Sequence, residues 1–95
     1  MKAPVFKFCL YVADDAPSSA QAIANLNAIC LQYLPNRHVI EIVDAFIEPE
    51  RALTNNIFMT PTLVRLAPAP VRRIVGTLSQ TITVIQALGL KVQAA

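Results

Sequence analysis

From Val5 to Val12 the chain is apolar almost without interruption, with β-branched and aromatic residues, which predicts a strand covered on both faces. Asp14-Asp15-Ala16-Pro17-Ser18-Ser19 then supplies acids, a proline and hydroxyls where a helix would begin. Ile23, Leu26, Cys30 and Tyr33 follow at three- and four-residue spacing, so a helix of about four turns is expected, closed by Pro35-Asn36. Val39 to Asp44 (VIEIVD) reads as a second strand, and the first 44 residues form a β-α-β unit with parallel strands and a right-handed crossover.

The second half is less decided. Pro49-Glu50 marks a first helical turn with Ala52, Leu53, Ile57 and Phe58 as an apolar stripe, against the poor helix formers Thr54-Asn55-Asn56. Thr62 to Leu66 and Val71 to Val75 read as an antiparallel pair joined by Ala67-Pro68-Ala69-Pro70. Leu78 to Leu90 reads as a helix with Ser79 as N-cap, apolar residues at 82, 84, 85 and 88, and Gly89 just past its end. Ile82-Thr83-Val84-Ile85 is β-branched enough to serve as a strand, so local propensity there is nearly balanced. The resulting α/β order, βαβαββα, is that of thioredoxin-like folds. Thr60-Pro61-Thr62 stands where such folds place a cis-proline, Pro61 here, by fold-level analogy. Without a repeat or a composition break, residues 1–95 read as one domain.

Composition narrows the function. Apolar residues make up 55% and charged residues 15%, the balance of a chain that collapses. Two glycines leave nothing for a phosphate-cradling loop. Residues 1–50 carry all six acids and a net charge of −3, whereas residues 51–95 carry five bases, no acid and +5. Those bases are dispersed and lack interleaved aromatics, so an acidic protein surface is a better partner for them than nucleic acid. The longest uncharged stretch, Ala16 to Asn36, holds two prolines and seven Asn, Gln and Ser residues, which excludes a membrane span. Lys7 and Pro4 break the apolar run a signal peptide needs, and a cytoplasmic protein is expected.

Candidate chemistry is sparse. Asp15-Ala16-Pro17-Ser18 occupies the place of a redox Cys-x-x-Cys pair, while Cys9 and Cys30 read as buried small hydrophobes, so thiol–disulfide exchange is excluded. His38 has no second ligand near it, and no metal or cofactor is expected. Asp14-Asp15 is explained by capping and the helix dipole. The aromatics Phe6, Phe8, Tyr11, Tyr33, Phe46 and Phe58 are placed at core positions. One stretch is left over, Thr60 to Ser79, TPTLVRLAPAPVRRIVGTLS: strands spaced by prolines and then Arg72-Arg73, a stiff cationic rim whose donors suit carboxylates.

That stretch closely resembles the KaiB family of cyanobacterial clock proteins, whose pattern runs T-P-T-L, a proline-rich turn, then V-R-R-I-I-G-x-L-S. Leu10-Tyr11-Val12-Ala13, Pro17, Ser19, Leu26-Asn27, Ile42, Asp44 and Pro49 extend the match. The resemblance implies a non-enzymatic regulator that binds the N-terminal ATPase ring of KaiC, sequesters KaiA and competes with the kinase SasA, whose sensor domain is similar to KaiB; the chain is expected to be the free-standing member. It also implies a choice of folds: a tetramer ordered βαββααβ, or the thioredoxin-like βαβαββα state that binds KaiC. For the docking surface it implies Pro70, Arg72 and Arg73, with Arg65 in place of the family's Lys and Phe6 beside them.

Several positions depart from the pattern. Ala87 replaces a Gly and Gly89 an Asp near the C-terminus, changes that favour a helix by ~1 kcal/mol or more, so the thioredoxin-like state is expected at rest, as a monomer or small homo-oligomer. Pro68-Ala69-Pro70 replaces three prolines, Asn56 a Lys, and Gly76-Thr77-Leu78 a Gly-Asp-Leu. Glu41 replaces a Lys at the edge that meets KaiA, a reversal that sets the KaiA contact apart from the expected KaiC-type partner. Two other readings stay open: a thioredoxin-like peroxidase or transferase, and a stress adaptor acting through a KaiC homologue without a rhythm.

Overall fold

The computed structural model describes residues 4–90. Its strands are β1 (Phe6–Val12), β2 (His38–Asp44), β3 (Thr62–Ala67) and β4 (Arg72–Val75), and its helices α1 (Pro17–Tyr33), α2 (Pro49–Thr54) and α3 (Thr81–Ala87). The order is βαβαββα, the thioredoxin-like one, and not βαββααβ. The strands lie β2-β1-β3-β4, with β1 and β2 parallel and β3 antiparallel to both β1 and β4. A parallel pair needs a long crossover, and α1 supplies it.

Because strand side chains alternate, the sheet sorts its residues onto two faces. The front face carries Phe6, Phe8, Leu10, Val12 and Leu63, packed under Ala22, Leu26, Ile29 and Cys30 of α1 and Val84 and Ile85 of α3. The back face carries Cys9, Tyr11, Val43 and Val64, covered by Ala52 of α2 and by Ile57. Cys9 and Cys30 thus belong to different cores, both buried and both free.

Helix ends depart from expectation in two places. Asp14 and Asp15 do not cap α1: Asp14 adopts φ 38° in a turn, Ala16 is the N-cap and Pro17 the first helical residue. The buried Ser19 hydroxyl instead accepts from the Ala13 N–H at 3.0 Å, fastening the end of β1 to α1. Ser79 does not cap α3 either. Leu78 turns back with φ 62°, Gln80 becomes the N-cap, and Ser79 pairs with the Thr77 hydroxyl. The other end of α3 closes on Gly89, where the Gly89 N–H donates to Gln86 O at 3.1 Å and the Leu90 N–H to Ile85 O at 2.9 Å. That closure needs the left-handed φ of 74° that Gly89 adopts.

Candidate docking surface

Arg72 and Arg73 both lie on β4, at an open edge of the sheet. Period two separates them: Arg72 pairs with Arg65 on the front face, Arg73 with Val64 on the back. They form no single rim. Arg73 donates to the carbonyls of Asn55 (2.6 Å) and Asn56 (3.2 Å) just past α2, which fixes the guanidinium while leaving its charge unpaired among the described residues. Pro70, before β4, is exposed.

Phe6 and Arg65 sit elsewhere than expected, under the hairpin and not on its surface. Arg65 is 5% exposed and Phe6 6%, with the guanidinium 5.8 Å from the ring centroid. Arg65 gives its hydrogen bonds to the carbonyls of Leu88 and Pro70. Neither side chain can meet a partner directly. Arg65 pairs with Phe8 in the register of β1 and β3, a front-face position that α3 covers.

The face that sequence reasoning missed is apolar. Phe46 and Phe58, expected in the core, are 74% and 78% exposed, and Leu53 and Met59 are exposed beside them. With Ala13, Ala45, Pro49, Ala52, Ile57 and Thr60 these residues line a shallow hollow of about 420 Å³. A second hollow joins Phe58 and Met59 to Val75 and Arg73. Arg73 therefore borders the apolar patch. An Asx turn, in which the Phe46 N–H donates to Asp44 Oδ1 at 2.8 Å, holds Phe46 outward. Asp14 follows Ala13 and Asp44 precedes Ala45, two residues that line the first hollow, so acids adjoin it in the chain.

Glu41, on the edge strand β2, is engaged by both Arg51 amino groups, at 2.7 and 2.5 Å. Those bonds hold the Glu41 carboxyl below its ordinary value and raise that of Arg51. The reversed charge at this edge is thus answered from α2. His38 donates Nδ1–H to Leu34 O at 2.7 Å, because a carbonyl can only accept, and so ties β2 to the end of α1.

For covalent chemistry the described residues offer little. Burial pushes the Cys30 thiol up to about 11 and raises that of Cys9, so both are protonated and unreactive at neutral pH. No group of His, Cys, Asp and Glu among the described residues could hold a metal ion. No described helix is long and apolar enough to cross a membrane. The Thr60–Pro61, Ala67–Pro68 and Ala69–Pro70 peptides are cis.

Among solved structures, the fold is similar to the N-terminal domain of Synechococcus elongatus SasA, with a TM-score of 0.74 over 94% of this chain and 88% of that one at 18% identity. Mitochondrial thioredoxin 3 of Saccharomyces cerevisiae matches with a TM-score of 0.72 over 94% and 82% at 16% identity. At such identities the likeness establishes the thioredoxin-like fold alone. Sequence goes further. The circadian clock protein KaiB3 of a Synechocystis species is 40% identical over 83 residues, 87% of this chain and 79% of that protein. The circadian clock oscillator protein KaiB of a Cyanothece species is 37% identical over 81 residues, 85% and 77%. The model of the KaiB domain matches residues 9–90, from β1 past α3, and the chain belongs to the KaiB family.

Proposed function

We propose that this chain is a single-domain, non-catalytic clock regulator that docks on the N-terminal ATPase ring of KaiC, or of a KaiC homologue, and modulates its phosphorylation cycle and output. The observation that carries the reading is the position of Arg73. Held by two backbone carbonyls beside exposed Phe58 and Met59, it unites a pre-positioned cation with aromatic and thioether anchors. Interfaces concentrate their energy in such anchors, and a fixed side chain loses little entropy on docking. Pro70 and Arg72 add the exposed hairpin edge, Arg72 from the front face, while Phe6 and Arg65 support that edge from beneath. The acids that adjoin Ala13 and Ala45 would orient the partner, which must be acidic opposite Arg73 and basic opposite Asp14 and Asp15.

The SasA N-terminal domain shares this fold, which supports competition between a SasA-type kinase and this chain for one ring. KaiA is a further partner in the family pattern, and the Glu41–Arg51 pair distinguishes the edge that would receive it. The work is done in the cytoplasm. A thioredoxin-like peroxidase would need a reactive thiol, and both cysteines are buried and protonated, whereas a transferase would need a ligand groove.

The test is titration of a purified KaiC-type ATPase ring, with ATP and with ADP, by the wild type and by Arg73→Glu. The wild type binds, and the variant loses binding with its melting temperature little changed. Equal affinity of the two proteins would remove Arg73 from the interface.

A further inference from the structure

Arg65 is a buried cation that no partner can touch directly. Among the described residues no carboxylate pairs with it, and its Nε has no hydrogen-bond partner. A charge withdrawn from water without a counter-ion is destabilising unless fixed dipoles replace the solvent. Two carbonyls do so. Nη1 donates to the carbonyl of Leu88, the C-cap of α3, where the helix leaves carbonyls unpaired and presents the negative end of its dipole. Nη2 donates at 2.7 Å to the carbonyl of Pro70, in the turn that leads into β4. The Phe6 ring packs beside the same guanidinium, and Gly89, at its left-handed φ of 74°, closes the helix end next to it.

From this geometry we infer that Arg65 is a positioning residue, a clasp that makes the closure of α3 and the placement of the Pro68–Pro70 turn depend on each other. A guanidinium is planar and rigid, so its two amino groups reach both carbonyls only while helix end and turn keep their relative position. Release of either carbonyl leaves a buried cation with one partner fewer, which favours release of the other. The clasp thereby governs where Pro70 and Arg72 stand, a consequence that rests on the docking reading above. A lysine could not reproduce it, because an ammonium is a point charge with no fixed fork.

Amide hydrogen exchange by NMR tests the clasp in the full chain. In Arg65→Lys the amides of Leu88, Gly89 and Leu90 at the helix end, and of Arg72, paired with Arg65 where the turn enters β4, should lose protection together, each by at least about tenfold, the lower end of the worth of one hydrogen bond to a charged group. Pro70→Ala, made at the turn alone, should deprotect the helix-end amides as well. In ring titrations Arg65→Lys should weaken binding several-fold although no partner reaches Arg65. Loss of protection at one end only, or at neither, overturns the clasp. If the wild type binds no ring yet the two ends open together, the docking reading fails and the clasp stands. If Arg73-dependent binding is intact while the ends open independently, the clasp fails and docking stands.

Discussion

The two faces of the sheet are built from the same four strands and differ in what covers them. On the front, 17 residues of α1 and 7 of α3 close over Phe8, Leu10 and Leu63, and these become fully buried. On the back, α2 has 6 residues, enough to bury Cys9, Tyr11 and Val43 but not to close over what surrounds them. Phe46, Leu53, Phe58 and Met59 are left in solvent next to each other. A contiguous apolar patch on a small protein marks an interaction site, whereas isolated exposed side chains do not. Stability and recognition are therefore divided between the faces, and the length of one helix makes the division.

The sharpest way to break that division is to shorten one side chain on each face. Leu63→Ala, at the front, should cost about 2–5 kcal/mol, because it removes a buried side chain and leaves a cavity. Phe58→Ser, at the back, should change stability by no more than about 0.5 kcal/mol while lowering affinity for the ring at least about tenfold. Urea unfolding and the ring titration read the two quantities separately. A back-face variant that unfolds as readily as the front-face one would mean that Phe58 belongs to the core after all.

Much of the front face could be read from the chain. The apolar run of β1, the spacing of Leu26 and Cys30, and Pro17 at the first helical position each report local geometry, so the β-α-β unit follows directly. The back face was harder for a physical reason. Its exposed residues lie in a six-residue helix and the turns around it, where there are too few periods to say which side faces inward. Residue type alone puts Phe46 and Phe58 in the core, and tertiary context overrides it. Burial of Arg65 has no local signal, since an arginine in an alternating strand faces water or core according to what packs over it. Sequence reading joins Arg72 and Arg73 in one rim, although their split has a local signal, because adjacent strand residues point to opposite faces.

The last turn of α3 tests the closed side more gently. Ala87 is exposed and is not part of the buried core, so Ala87→Gly removes chiefly helix propensity, about 1 kcal/mol or less at a helix end. That is roughly a fivefold change in population for any equilibrium in which α3 gives way to another structure, since ~1.4 kcal/mol is tenfold. The wild type should be helical over 81–87 and free of tetramer in circular dichroism and sizing, and Ala87→Gly should move it measurably toward whatever competes. A stable wild-type tetramer with a strand at residues 82–88 would refute the bias assigned to Ala87 and Gly89.

The smallest effect belongs to the open side, where the Glu41–Arg51 pair adds to the packing of Ala52 in fastening α2 to β2. Hydrogen bonds from Arg51 lower the Glu41 value in the folded state, so folded protein holds the Glu41 proton less tightly than unfolded chain does. The stability it contributes is fully present above the ordinary carboxylate value and disappears as pH falls through the lowered folded value. Both partners are solvent-exposed, so the contribution is small and screened by salt. Glu41→Gln should melt slightly below the wild type at neutral pH, and the two curves should converge on acidification and with added salt. A gap that stayed constant into acid would assign the loss to packing of α2 and not to charge. The packing of Ala52 against Val43, Cys9 and Tyr11 would then be what holds α2 in place.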